Sequence, residues 1–259
     1  MVSVVVGCAL LGLLVGSFLN VVVWRVPRGE SVVAPPSHCP ACGHAVRPRD
    51  NVPVVSWLIL RGRCRDCDAA ISSRYPLVEL AAGLLFAVVA LRFGPAWELP
   101  AYLYLAAMGV ALSLIDLDVK RLPNAIVLPS YPVLAGLLLL PAVADGRWDD
   151  YVRALVGMAA LFAFYFALAF VHPAGMGFGD VKLAGVLGLA LGWLGWGVLA
   201  LGGFLGFLLG GVVGGGLMLA GRATRRSAIP FGPFMIAGAF VAVLAGQPLL
   251  RLYLSALTG

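Results

Sequence analysis

The chain has 259 residues, of which 61% are hydrophobic and only 12% are charged, and its mean hydropathy is +0.99. About 25% of the residues of a soluble domain are charged, so this composition excludes a soluble globular protein, and it equally excludes a disordered chain. A helix needs roughly 20 apolar residues to cross a bilayer, and the length allows about eight such helices. The sequence predicts an all-α polytopic membrane protein, because open strands would leave backbone groups unpaired in lipid.

The first apolar stretch runs from Val2 to Val23. It has neither preceding basic residues nor a small-residue cleavage site, so we interpret it as a retained membrane span. A polar insert follows, and seven more spans are predicted after it: Leu77–Leu91, Pro100–Ile115, Ala125–Val143, Tyr151–Val171, Val181–Leu194, Trp196–Ala220 and Phe231–Tyr253. Two of them, Pro100–Ile115 and Val181–Leu194, are short and are expected either to extend into the adjoining polar motifs or to leave the membrane locally thin. The predicted parts are a first helix (1–24), an insert (25–76) and a membrane core (77–259).

Basic residues predict the orientation of the chain. Fourteen of the 18 Lys and Arg residues fall in alternate loops, and the other four are Arg92, Arg147, Arg153 and Arg251. The positive-inside rule places the larger group in the cytoplasm and both termini outside. Tryptophans near the span ends fit aromatic belts at the two membrane surfaces: Trp24 at the inner one, and Trp97, Trp148, Trp193 and Trp196 at the outer one.

Small residues recur at every fourth position of the span Trp196–Ala220: Gly202, Gly206, Gly210 and Gly214. This stripe indicates a face against which another helix packs closely.

Two C-x-x-C pairs lie in the polar insert, Cys39 with Cys42 and Cys64 with Cys67. Four thiolates at this spacing can enclose a zinc ion tetrahedrally, and such a site is structural because no coordination position stays open. Redox pairs and an iron–sulfur cluster are the alternatives. Gly43 and Asp68 follow the pairs where tight turns are needed.

Other residues of the insert and of the first span receive simpler interpretations. His38 and His44 could replace a metal ligand, although solvated loop histidines are the simpler interpretation. Eight basic residues on or near the insert suggest contact with anionic lipid headgroups rather than with nucleic acid. Cys8 is interpreted as a small apolar residue.

Acidic residues at the edges of spans are candidate functional groups because charge is costly in a membrane. Asp116 ends the third predicted span and Asp180 precedes the sixth, and the predicted topology places both at the cytoplasmic face. Two carboxylates in one site share a proton, so that one activates water and the other polarises a peptide carbonyl. This is the chemistry of an aspartyl protease, and Gly175, Gly177 and Gly179 would let a substrate backbone approach Asp180.

The competing interpretation is that these acids are interfacial charges paired with nearby Lys and Arg residues. It is the stronger one for Asp118, which on a helix faces about 200° away from Asp116. For Glu79, a structural role and a functional role are both open.

Taken together, these motifs resemble the bacterial type IV prepilin peptidases, a branch of the membrane aspartyl proteases with a G-x-G-D motif. The matching segments, in family order, are Gly16–Pro27, the double C-x-x-C insert, Arg74–Glu79, Asp116 to Asn124 and Gly177–Asp180. The resemblance implies that Asp116 and Asp180 are the catalytic pair, with Asp118 in reserve. It also implies that the substrates are type IV prepilins and the pseudopilins of type II secretion, cut on the cytoplasmic face of the bacterial inner membrane.

Family members with the cysteine insert often also methylate the new N-terminal amine with S-adenosylmethionine, and the resemblance extends that activity to this chain. No glycine-rich motif in the sequence identifies a methyl-donor site. Two alternatives stay open: a methyltransferase without proteolysis, and a zinc-ribbon membrane adaptor or transporter. A transporter would be expected to carry a midplane charge, whereas every acidic residue here lies near a span end.

Overall fold

The computed structural model describes residues 1–172, 176–222, 224 and 229–258. Within these ranges the chain forms nine α-helices: α1 (Val2–Arg25), α2 (Val55–Ile59), α3 (Arg74–Phe93), α4 (Leu99–Val119), α5 (Asn124–Ala144), α6 (Trp148–Val171), α7 (Phe178–Leu194), α8 (Trp196–Leu219) and α9 (Gly232–Thr258). The only β pairing among the described residues is two isolated bridges. The predicted all-α membrane architecture is confirmed.

Seven of these helices are long and apolar enough to cross a membrane. The remaining predicted span, the sixth, corresponds to α7, which has 17 residues. Both spans that looked short extend into polar motifs, because α4 continues through Asp116 to Val119 and α7 begins at Phe178, before Asp180. The candidate acids therefore lie on helices rather than in loops.

The chain divides into two compact units, Met1–Ala111 and Leu112–Gly259. In the first unit α1 packs against α3. A Cβ at Gly16 would lie 2.7 Å from the Cα of Glu79, and one at Gly12 would lie 2.7 Å from the carbonyl oxygen of Ala82. Glycine at these two positions lets the helix backbones approach closely.

In the second unit α7 is the central helix, and it packs against α5, α6, α8 and α9. Its residues from Asp180 to Trp193, apart from Lys182, are buried. Close approach to α6 is possible because glycines face each other, since a Cβ on Gly188 would lie 2.5 Å from the carbonyl oxygen of Gly157. A helix buried on all sides is apolar all round, and α7 is apolar from Leu183 to Leu194.

The predicted glycine face of α8 is confirmed as a packing surface. A Cβ at Gly202 would lie 2.7 Å from Leu191 of α7, and one at Gly206 would lie 3.2 Å from Met235 of α9. The aromatic belt is only partly as expected. Four of the five tryptophans are more than half exposed, whereas Trp193 is fully buried, with the Arg147 guanidinium 4.6 Å from its ring centre. Placing Trp193 in the belt was wrong, because it lies on the helix that the unit encloses.

We expect Gly188→Ala to destabilise the second unit by about 1–3 kcal/mol, because the added methyl overlaps backbone of α6 that cannot move aside. Unfolding of the purified protein in mixed detergent measures the change. Gly136→Ala on α5 is the matched control, since a Cβ there meets nothing within 4 Å. Equal stability of the two variants would contradict the close α6–α7 contact.

Candidate active site and metal centre

Asp116 lies near the C-terminal end of α4 and is only 5% exposed. Its Oδ2 accepts a hydrogen bond of 3.0 Å from the backbone N–H of Gly232, at the start of α9. Among the described residues its Oδ1 accepts no hydrogen bond. A buried carboxylate with one oxygen held by backbone and the other available has both a fixed position and capacity for a ligand.

Asp180 lies in the first turn of α7, is 9% exposed and is held in the same manner as Asp116. Its Oδ2 accepts a hydrogen bond of 3.1 Å from the backbone N–H of Gly177, which precedes the helix. This is the contact that an acid at the third helical position makes with the N-cap residue. The described part of the chain offers no hydrogen-bond donor to its Oδ1.

Leu122, in the turn between α4 and α5, lies close to the glycine beside each of the two aspartates. A Cβ at Gly232, beside Asp116, would lie 3.2 Å from Leu122, and a Cβ at Gly179, beside Asp180, would lie 3.1 Å from the same side chain. The charge of Asp116 acts on Asp180 as well. The structure thus brings the two predicted acids into one polar site within the second unit.

The start of α7 is also tied to the α4–α5 turn by polar contacts. The Lys182 ammonium donates to the Asn124 side-chain oxygen at 2.9 Å, and the Tyr131 hydroxyl donates to the Lys182 carbonyl at 2.6 Å. These contacts connect the L-P-N segment to the G-x-G-D segment. Two motifs that are distant in sequence therefore form one support for the two aspartates.

Gly232 is a site residue that the sequence analysis missed. A Cβ there would lie 2.9 Å from Asp116 Oδ2, so only glycine fits without displacing the carboxylate. The sequence signal for it is the Gly232-Pro233 pair, preceded by Pro230, since a Gly-Pro pair marks a turn or a constrained backbone.

The remaining predictions for this region have mixed outcomes. Asp118 is exposed, whereas Asp116 is buried. Gly175 lies outside the described residues. A Cβ at Gly179 would lie 3.1 Å from Leu122, and a Cβ at Gly177 would lie 3.3 Å from Asp180 Oδ2. That a substrate backbone approaches Asp180 at Gly177 and Gly179 stays a prediction.

The four cysteines of the insert form one cluster, with all four Sγ atoms within 4.8 Å of one another. The Cys39 and Cys67 sulfurs are 3.8 Å apart. Four thiols converging at this spacing fit a tetrahedral thiolate site for a metal ion such as zinc. Among the described residues, neither His38 nor His44 joins the cluster.

Each C-x-x-C pair closes the same kind of turn. Gly43 N–H donates to the Cys39 carbonyl at 2.8 Å, and Asp68 N–H donates to the Cys64 carbonyl at 3.0 Å. Both turn residues have positive φ, 72° at Gly43 and 58° at Asp68. The predicted tight turns are confirmed, and glycine and aspartate are residue types that tolerate this conformation.

Two ion pairs connect the segments that carry the two C-x-x-C pairs: Arg47 with Asp66 and Arg65 with Asp50, each at 2.7 Å. The Arg65 guanidinium beside Asp50 lowers the pKa of that carboxyl from its ordinary value. Because both ion pairs are partly exposed to solvent, each contributes little to the stability of the insert. We infer that they orient the two cysteine-bearing segments relative to each other.

Glu79 lies on α3 and is 8% exposed. Its Oε2 accepts a hydrogen bond of 2.7 Å from the backbone N–H of Val54, a non-glycine residue with φ of 62°. A β-branched residue in this region is strained, so Glu79 stabilises an otherwise unfavourable backbone. The structure gives Glu79 a structural contact with the insert.

Comparison with known proteins matches almost the whole chain. Residues 10–93 match the Bacterial Peptidase A24 N-terminal domain, and residues 103–219 match the Type IV leader peptidase family. A protein of Stutzerimonas stutzeri named prepilin leader peptidase/N-methyltransferase is 39% identical, with 95% of this chain and 93% of that protein covered. Proteins with the same name from Pseudomonas aeruginosa and Bacillus subtilis are 38% and 33% identical, covering 95% and 96% of this chain and 91% and 97% of their own lengths.

No solved structure matches the chain significantly. In each of these three comparisons the match nevertheless covers more than nine-tenths of this chain and of the relative, at 33–39% identity. From this similarity and the two matched domains, we conclude that the chain is a multi-pass membrane protein belonging to the type IV leader peptidase family.

Proposed function

We propose that this protein is an intramembrane aspartyl endopeptidase that removes the short basic leader from type IV prepilins and from pseudopilins of type II secretion, and that it then methylates the new N-terminal amine. The observation that carries the peptidase is the pair of buried aspartates, each held at one oxygen by a glycine N–H. Cleavage of a prepilin by the purified protein tests it, with the products identified by mass.

In the proposed reaction, Asp116 and Asp180 share one proton. The ionised carboxylate takes a proton from water as the water oxygen attacks the scissile carbonyl carbon, and the protonated carboxyl donates to the carbonyl oxygen. Collapse of the tetrahedral intermediate breaks the C–N bond, and the departing amine takes a proton from the dyad. Gly232 and Gly177 keep the two carboxylates in place by donating backbone hydrogen bonds throughout.

The substrate class is supported by the names of the relatives, which are prepilin leader peptidases. The distribution of basic residues supports an orientation with the insert in the cytoplasm and both termini outside the inner membrane of a bacterium. The same basic residues would meet anionic lipid headgroups there. No role for nucleic acid is proposed.

For the insert, we propose that Cys39, Cys42, Cys64 and Cys67 hold a structural zinc ion as thiolates. A bound zinc would supply folding free energy to a segment with little apolar core. The three parts of the chain would then be the first helix (1–24), the zinc-binding insert (25–76) and the protease core (77–259).

Methylation is supported by the second half of the relatives' name, N-methyltransferase. When bound, S-adenosylmethionine would supply a sulfonium methyl group for transfer to the deprotonated N-terminal amine, with the neutral thioether as the leaving group. Cleavage must come first, because the amine is part of a peptide bond until the leader is removed.

We expect Gly232→Ala to slow leader cleavage by roughly tenfold to a hundredfold, since displacement of a catalytic group by about 1 Å has effects of this size. The new methyl would lie 2.9 Å from Asp116 Oδ2. The measurement is kcat for prepilin cleavage in detergent. Gly215→Ala on α8 is the control, because a Cβ there meets nothing within 4 Å. An unchanged kcat in Gly232→Ala would remove Gly232 from the site.

A further inference from the structure

The short helix α2 of the insert has an apolar face that stays exposed in the described part of the chain. Val55, Leu58 and Ile59 are 50%, 60% and 70% exposed, and their spacing places them on one side of the helix. The helix is attached to the insert through Ser56, which is buried and whose hydroxyl donates to the Arg49 carbonyl at 3.0 Å. The three exposed side chains form the apolar face of α2.

Two hydrogen bonds fix the position of α2 along the membrane span α3. Val54, directly before α2, donates its N–H to Glu79 Oε2 at 2.7 Å. The Trp57 indole N–H donates to the carbonyl of Ile71, just before α3 begins, at 3.1 Å. Glu79 follows Arg74, the first residue of α3, by five residues, which is about 7.5 Å along a helix axis. Interfacial helices bury their apolar faces to about 5–10 Å, so α2 begins at the depth of such a helix.

The span itself presents apolar side chains to lipid at this depth. Leu77 and Leu80 lie on the turns of α3 that include Glu79, and both are exposed, whereas Glu79 is buried. On a helix that is long and apolar enough to cross a membrane, exposed leucines face lipid tails of matching polarity. The apolar face of α2 is attached to the same turns, so its neighbouring medium is lipid.

Basic residues flank the apolar face of α2. Arg49 precedes the helix, Arg61 and Arg63 follow it, and all three are exposed. Among the described residues none of the three forms an ion pair, and residues 51–63 contain neither Asp nor Glu. Anionic headgroups attract such a group of charges, whereas the basic leader of the proposed substrate would be repelled by it. The charges therefore favour an anionic lipid surface over the substrate leader.

From this arrangement we propose that the apolar face of α2 inserts into the lipid interface beside α3, with Arg61 and Arg63 on the phosphates of anionic lipids. This contact goes beyond headgroup attraction, because it places Leu58 and Ile59 at the level of the acyl chains. It attaches the insert to the membrane at a further point besides its chain connections to α1 and α3. The docking requires that α3 spans the membrane, and it requires neither of the proposed activities.

Photo-crosslinking of the full-length protein in nanodiscs tests this docking. A photoreactive benzoylphenylalanine replaces Ile59 in one protein and Leu58 in a second, so that poor folding of one leaves the other. The nanodiscs contain phosphatidylglycerol and phosphatidylcholine, and mass spectrometry identifies the molecule that is joined. Val46 is the control site, because it is an exposed valine of the insert outside α2. We expect lipid adducts at either α2 site to exceed those at Val46 by roughly tenfold, since only an interfacial face reaches the acyl chains.

The choice between the two lipids tests the role of the arginines. Arg61→Gln should lower the ratio of phosphatidylglycerol to phosphatidylcholine adducts at Ile59 by roughly fivefold, the effect of one cation near an anionic surface. Arg47→Gln is the matched control, because Arg47 is already paired with Asp66, and it should leave the ratio unchanged. An unchanged ratio in Arg61→Gln would overturn the assignment of anionic lipid.

Adducts with an added prepilin in place of lipid would make the apolar face of α2 a substrate surface, and adducts between two copies of the chain would make it a subunit interface. Either result overturns the proposed docking, as does a lipid yield at both α2 sites that is no higher than at Val46. Prepilin cleavage is measured on the same preparations. Cleavage without lipid adducts would refute the docking alone, whereas lipid adducts without cleavage would support the docking and refute the proposed peptidase.

Discussion

Replacing either Asp116 or Asp180 with Asn should reduce leader cleavage by roughly 10²–10⁴-fold, the usual contribution of a general acid or base. Asn is nearly isosteric with Asp, and its side-chain oxygen can still accept the N–H of Gly232 or Gly177. Folding should therefore be preserved while the shared proton is lost. The measurement is kcat for cleavage of a purified prepilin in detergent.

Because the two acids act as one unit, the double variant should be no slower than the slower single variant. Asp118→Asn provides the control, since it makes the same chemical change two residues from Asp116 on an exposed side chain, and it should cleave at close to the normal rate. Normal cleavage by both single variants would refute the dyad and return Asp118 and Glu79 to consideration.

The same variants separate the two proposed activities. Methylation of a substrate from which the leader has already been removed does not require peptide hydrolysis, so Asp116→Asn should retain it. If the unaltered protein methylates such a substrate but never cleaves a prepilin, the chain is a methyltransferase without proteolysis.

Changing Cys39 and Cys42 together to Ser should abolish metal binding by the insert, because two of the four clustered thiols are lost. Structural zinc contributes an apparent binding free energy of about 10–16 kcal/mol in small domains, so the insert should lose its fold. Elemental analysis should find one zinc per chain before the change and almost none after it, and limited proteolysis should then cut within 25–76.

Cys8→Ala is the control for this experiment, since Cys8 is buried on α1 and lies outside the cluster. It should retain the metal and the resistance to proteolysis. Iron instead of zinc in the unaltered protein would indicate that the four cysteines hold an iron–sulfur cluster. A metal-free protein whose four cysteines oxidise reversibly would indicate redox pairs.

Much of this molecule follows directly from the order of its residues. Composition predicts a helical membrane protein, because so few charges cannot cover a water-soluble surface. The two C-x-x-C pairs predict the cysteine cluster, since the spacing within each pair is set by a local turn that Gly43 and Asp68 close with positive φ. Local features of this kind depend on neighbouring residues and can be recognised before any tertiary contact is known.

The tertiary structure decided what depends on residues far apart in the chain. Gly232 lies 116 positions from Asp116, and only folding shows that its N–H holds that carboxylate. Burial likewise separates Asp116 from Asp118 and encloses Trp193, although each had a plausible interfacial role by position. The burial of Arg25 is also invisible in sequence, because an arginine at a helix end usually faces water or lipid headgroups. Its guanidinium instead donates to the carbonyls of Ser31 and Pro35, which depends on how the insert folds over the end of α1.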